Sequence, residues 1–100
     1  MKKLNSSQRS YLKSHAHHLE SIVFIGKNGL SDGASKMINK VLDAHELVKI
    51  KFRDCKDEKE SIIHQISLLT KCHVIGIIGN VAIIFRQNSD PKMRHFQLPE

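Results

Sequence analysis

The segment His73-Val74-Ile75-Gly76-Ile77-Ile78-Gly79-Asn80-Val81-Ala82-Ile83-Ile84-Phe85-Arg86 decides the architecture. Two β-branched runs flank Gly79-Asn80, a pair suited to a two-residue hairpin turn, so residues 73–78 and 81–86 read as adjacent antiparallel strands. Moving back along the chain, Leu47 to Arg53 alternates: Val48, Ile50 and Phe52 point one way, Lys49, Lys51 and Arg53 the other. That period of two predicts a strand with a basic face. Between these strands, Asp57, Glu58 and Glu60 suit the positive end of a helix dipole. Ile62, Ile63, Ile66 and Leu69 then supply the apolar stripe of a helix ending near Lys71. Further back, Ile22 to Ile25 is a short strand closed by Gly26. Ser31 caps a helix over about 32–44, with Met37, Ile38, Val41 and Leu42 facing inward. A first helix, capped by Ser6 or Ser7, runs to about His18 with Tyr11, Leu12 and Ala16 as its stripe.

The order is therefore αβαβαββ. Strands separated by a dozen-residue helix pair in parallel through right-handed crossovers, whereas the closing hairpin must add an antiparallel strand. The prediction is an α+β fold, an α/β sandwich with a four-stranded mixed sheet. One domain is expected over residues 1–86, its folded body starting near residue 4. Residues 87–100 read as a loose polar tail, because Asn88-Ser89-Asp90-Pro91 is a turn signature and Pro99 discourages pairing.

With 100 residues, 40% of them hydrophobic and 26% charged, the chain has globular composition and room for one core. The longest apolar stretch, Val74 to Phe85, is broken by Gly76, Gly79 and Asn80, so no spanning helix is expected. The N-terminus has no apolar signal region. Cys55 and Cys72 read as reduced thiols of a cytoplasmic protein. A formal charge of +6 favours anionic partners. Much of it lies early: Lys2, Lys3, Arg9 and Lys13 face only Glu20 within the first twenty residues.

Gly26-Lys27-Asn28-Gly29 is the most informative short pattern, because it joins a strand to the amino end of a helix. Glycines at both ends permit positive φ and close approach of backbone amides to a phosphate; Lys27 adds a full charge to the helix's partial one. The spacing is not that of a Walker loop, and Asp32 competes for the same helix end, which disfavours nucleotide hydrolysis. As a bare pattern the turn is equally an ordinary βα connection. The basic strand face is the second candidate; on its own it reads as solvated, but together with Lys27, Arg86 and the first helix, with its Arg9 and Lys13, it could form one surface for a polyanion. Seven histidines include His15 and His18 at helical spacing, yet no spaced ligand clusters accompany them, so no metal or cofactor is expected. No acid/base pair or activated nucleophile stands out, and the chain is expected not to be an enzyme. Phe24, Phe52 and Phe85 alternate with apolar neighbours and read as core, which leaves base stacking unsupported.

The succession Leu12-Lys13, Ala16-His17, Leu19, Val23, Ile25-Gly26-Lys27-Asn28-Gly29-Leu30, Gly33, Leu42, His45-Glu46-Leu47-Val48-Lys49-Ile50-Lys51, Ile78-Gly79 and Phe85-Arg86 resembles the stand-alone bacterial YhbY-like proteins. These are the single-domain form of the CRM domain, named for chloroplast RNA splicing and ribosome maturation. Ser21 and Gln87 stand where many relatives have Pro, and Phe85 where Tyr is frequent. The resemblance implies a fold similar to the C-terminal domain of translation initiation factor 3. It further implies RNA binding and association with ribosomal RNA or precursors of the large ribosomal subunit, in an assembly role. Carried to this chain, Gly26, Lys27, Asn28 and Gly29 become the RNA-contacting turn, with Lys49, Lys51 and Arg86 beside it. A monomer with RNA as partner and no membrane contact is expected. The alternative is a protein-interaction module whose basic face meets an acidic, ribosome-associated partner.

Overall fold

A computed structural model describes residues 3–100, so Lys2 of the basic N-terminal arm lies outside the described residues. In chain order the elements are α1 (Ser6–Ala16), β1 (Val23–Ile25), α2 (Asp32–His45), β2 (Leu47–Phe52), α3 (Lys59–Thr70), β3 (His73–Ile78) and β4 (Val81–Phe85). Single 3-10 turns at Lys56–Glu58 and Pro91–Met93 complete them. The four strands form one sheet in the order β1-β2-β4-β3. β1 runs parallel to β2, and β4 pairs antiparallel with both β2 and β3. The expected mixed sheet is present, with the hairpin's second strand inserted between β2 and β3.

Each face of the sheet carries its own apolar cluster. Val48, Ile50, Phe52, Ile84 and Ala82 meet Ile38 and Leu42 of α2 and Ile62, Ile63 and Ile66 of α3. On the opposite face Leu47, Ile75, Ile83 and Phe85 meet Leu4 and the α1 residues Leu12 and Ala16. Fully burying such side chains stabilises by about 1.5–3 kcal/mol each. The helical periods are therefore satisfied in two separate layers. The α1 layer is the smaller: one helix covers the part of the sheet around Leu47 and Phe85 and stops at Ala16.

Several local expectations are corrected. The first helix is capped by Asn5, whose side chain accepts from the Gln8 amide at 2.8 Å while Gln8 Oε1 accepts from the Asn5 amide at 3.0 Å. This reciprocal capping box satisfies two orphan donors, which Ser6 or Ser7 would not. Met37 and Leu69 belong to exposed helix faces. Phe24, grouped with the core by its apolar neighbours, is 42% exposed. Val23 and Ile25 point inward, and strand alternation turns Phe24 outward.

The segment 87–100 is packed against the body. Phe96 and Leu98 sit against the α1-side cluster, and the Gln8 side-chain amide donates to Pro99 O at 3.0 Å. Buried Glu46 accepts from the backbone amides of Asn88 and His95. The turn residues that suggested a loose tail instead build the Pro91–Met93 turn, capped by Asp90, and fold the chain back.

Candidate functional site

The Gly26–Gly29 turn closes tightly: the Gly29 amide donates to Gly26 O at 3.0 Å, and Gly29 takes φ +61°. Only this second glycine uses the left-handed region. Gly26 has open space where a Cβ would stand. The turn is held from below. Ile25 O accepts from the amides of Arg53 and Asp54, Cys55 Sγ lies 3.5 Å from Gly26 O, and Leu30 packs into the core. Lys27 and Asn28 are left exposed at the tip. Immediately beyond, Ser31 Oγ accepts from the Ala34 amide at 3.1 Å and starts α2, as its position predicted. A rigid base with a solvent-facing tip is thus built from local turn chemistry.

The surroundings of the turn are electrostatically two-sided. Toward α3 lie Asp54, Asp57 and Glu58, around an open depression shared with Arg53 and Lys56. Partial desolvation, then the Glu58 and Asp54 carboxylates, push the Cys55 thiol above its ordinary pKa. Cys55 is accordingly a neutral prop beneath the turn, disfavoured as a nucleophile. On the other side lies the face of the sheet that α1 leaves uncovered. There Phe24, Lys51, Val81 and Ile78 are successive cross-strand partners, one from each strand. The Arg53 guanidinium lies over the Phe24 ring, 4.0 Å from its centroid. Lys13, His17 and Lys49 border a groove of about 290 Å³ floored by Ala16, Ile78, Val81 and Ile83.

The structure sorts the residues singled out from the sequence into three groups. Gly26, Lys27, Asn28 and Gly29 form the turn; Lys51, Lys49 and Lys13 share the sheet face beside it. Lys49 Nζ also donates to Leu19 O at 3.0 Å, tying down the α1–β1 connection. Arg9 sits further along α1 and donates to Val74 O at 2.8 Å, bracing the helix on β3. Arg86 does not join this surface. Its guanidinium donates to Asn39 Oδ1, Asn39 O, Asp43 Oδ1 and Thr70 O, between α2 and α3 on the opposite side of the sheet. The expectation failed because alternation assigns Arg86 a charge and a parity but no partner. Sequence reasoning also missed Phe24 and the pairing of Arg53 with it. The run Ile22 to Ile25 is apolar throughout, so the parity that turns residue 24 onto the basic face is visible only once Val23 and Ile25 are seen to be buried.

Among the described residues, no group of three or more His, Cys, Asp or Glu side chains is placed to hold a metal ion. His15 instead packs edge-on against Tyr11 and Phe96. No helix among the described residues is long and apolar enough to cross a membrane.

Comparison with known proteins places the chain in a family. Residues 4–86 match the family model of the CRS1/YhbY (CRM) domain. An RNA-binding protein of Haemophilus influenzae is 35% identical over 100 residues, covering 99% of this chain and 98% of its own. A Bacillus subtilis protein, named as a probable RNA-binding protein, is 29% identical over 90 residues, covering 89% and 94%. The solution structure of a Staphylococcus aureus protein superposes with a TM-score of 0.78 at 30% identity, covering 97% of this chain and all of that one. With the family model spanning nearly the whole folded body and a full-length relative of this similarity, the chain belongs to the CRS1/YhbY (CRM) domain family.

Proposed function

We propose that this chain is a cytoplasmic, monomeric RNA-binding protein that docks on ribosomal RNA or on a precursor of the large ribosomal subunit and assists its assembly without catalysis. Family membership and the naming of its relatives as RNA-binding proteins support the choice of RNA. The observation that carries the reading is the exposed Lys27-Asn28 tip on a braced glycine turn, opening onto a sheet face that holds Lys51, Lys49 and Lys13. Amides of such a turn can approach phosphate oxygens, and each ammonium that meets a phosphate releases a counterion. The carboxylates of Asp54, Asp57 and Glu58 repel a polyanion from the α3 side. The strand is therefore led from the turn across the open face of the sheet. Binding of this kind favours those RNA conformations that present a backbone of matching shape, which is how a non-catalytic protein biases assembly.

Engaging about four phosphates gives a slope of about −3 in log affinity against log salt. The double variant Lys27→Glu, Asn28→Glu is expected to bind ribosomal RNA fragments at least about tenfold more weakly, with a shallower slope, while melting like the parent protein. A flat salt response, or unchanged affinity in the variant, sinks the assignment of the turn. Nuclease treatment of a cell extract is expected to release the protein from ribosomal particles; retention would point to an acidic protein partner instead.

A further inference from the structure

Resting on the reading of RNA as the ligand, we propose that the uncovered sheet face is a nucleobase platform, on which an unpaired base of the bound RNA stacks against Phe24 and Arg53. The backbone grip at the Gly26–Gly29 turn and this platform would then be two halves of one single-strand site.

The placement follows from the fold. Helix α1 covers only part of its face of the sheet and ends at Ala16. The cross-strand row Phe24–Lys51–Val81–Ile78 lies beyond it. Three strand spacings of about 4.8 Å make that row about 14 Å wide. Its two outer members are large apolar side chains left in solvent, Phe24 at 42% and Ile78 at 61% exposure. Phe24 is the outward member of a three-residue strand whose other two side chains are buried, so its ring is presented to solvent from a fixed backbone. The ring is also preorganised. A guanidinium 4.0 Å above it fixes its orientation and presents a second flat, cationic surface. Aromatic rings and guanidinium planes are the two groups on which unstacked bases are held, and such stacking tolerates any base.

Charge selects the occupant. Lys51 stands between the apolar ends of the row, and Lys49 and Lys13 flank it, so the face offers apolar contact to a base and cations to its phosphates. An apolar protein segment would use the former and leave the latter unsatisfied. Among the residues lining the groove between the α1–β1 connection and the start of β2, only Glu20 is acidic. Phe24 also sits two residues before Gly26, so a strand whose phosphate reaches the turn brings its neighbouring nucleotide to the ring.

The chain contains no tryptophan, which makes Phe24→Trp a single reporter at the platform. A single-stranded decamer of uridylate and a blunt RNA duplex of equal length serve as probes, with the full chain. Binding of the decamer is expected to quench and shift the indole emission of this variant, whereas the duplex leaves it unchanged. Phe24→Ala is expected to weaken decamer binding by about fivefold or more, Phe24→Tyr to preserve it, and neither to alter duplex binding. If Phe24→Ala binds the decamer like the parent and the reporter stays silent while the Lys27→Glu, Asn28→Glu variant still loses affinity, the platform is overturned and the backbone grip survives. If the parent protein holds neither RNA, both readings fall together. Should Phe24→Ala melt early, the emission response of the folded tryptophan variant decides the matter alone.

Discussion

Glu46 combines two costs in one residue, a carboxylate sealed from solvent and a non-glycine backbone at φ +63°. Positions of that kind cost of order 1–3 kcal/mol and persist only where the surroundings enforce them. Here the enforcement is visible: the carboxylate satisfies the amides of Asn88 and His95, and the carbonyl of Glu46 accepts from Arg86 N at 3.0 Å. Glu46→Ala should strand two amides at about 1–3 kcal/mol each. It should release residues 87–100, seen as faster hydrogen exchange at Asn88 and His95. Glu46→Gly should lose the same anchor yet be less destabilising, because glycine accepts the positive φ. Unchanged exchange in both variants would show that the carboxylate does not hold the segment. The run His45-Glu46-Leu47 was recognisable in the sequence, but this role was not, since the carboxylate's partners lie 42 and 49 residues away and leave no local pattern. His73 offers a second test at this scale. Burial, then the charge of Arg9, lowers its pKa below the ordinary value. The unfolded chain therefore takes up the proton first. The contribution of His73 to stability should be level above a pH of about 6.5 and fall as pH drops through that value, until the folded form also protonates. In His73→Gln this part of the loss should vanish from chemical denaturation curves taken between about pH 7.5 and about pH 5, either side of the ordinary histidine value; an identical slope in both proteins would rule it out.

Among the elements, α2 and α3 are joined side to side by one guanidinium. Arg86 reaches Asn39 and Asp43 on α2 and Thr70 O at the end of α3, all within 3.0 Å. The pair with Asp43 adds little by itself, because that carboxylate is largely in solvent. The value lies in the planar fork that satisfies several acceptors at once. Lysine cannot reproduce it. Arg86→Lys is expected to cost about 1–3 kcal/mol in urea unfolding while leaving RNA affinity unchanged where the protein is folded. A loss of affinity without a loss of stability would return Arg86 to the binding surface. The number, type and order of the elements were legible because period-two and helical patterns dominate residues 32–86, and Gly79-Asn80 marked the hairpin. Helix starts were less so. The Asn5 box competes with the serines that follow it, and a three-residue strand such as β1 carries too few alternations to separate an inward from an outward phenylalanine. For the candidate surface, sequence reported the sign of each charge; whether Lys51, Arg53 and Arg86 share a face depends on the register in which β4 pairs with β2.

At the scale of the whole molecule, the sheet divides the protein into unequal halves. One face is closed by two helices; the other is covered only in part by α1 and the returning chain end. The net charge of +6 is accordingly not spread as an even field. Carboxylates gather at the β2–α3 connection, and cations border the uncovered strip. A polyanion thus meets a direction as well as a sign. The strand order has a separate bearing on how the sheet holds together. Because β4 is the last strand in sequence yet lies second from one edge, β2 and β3 never pair with each other and are joined only through it. Val81–Phe85 is therefore the seam of the sheet, and a chain truncated before residue 81 lacks the one strand that couples β1-β2 to β3.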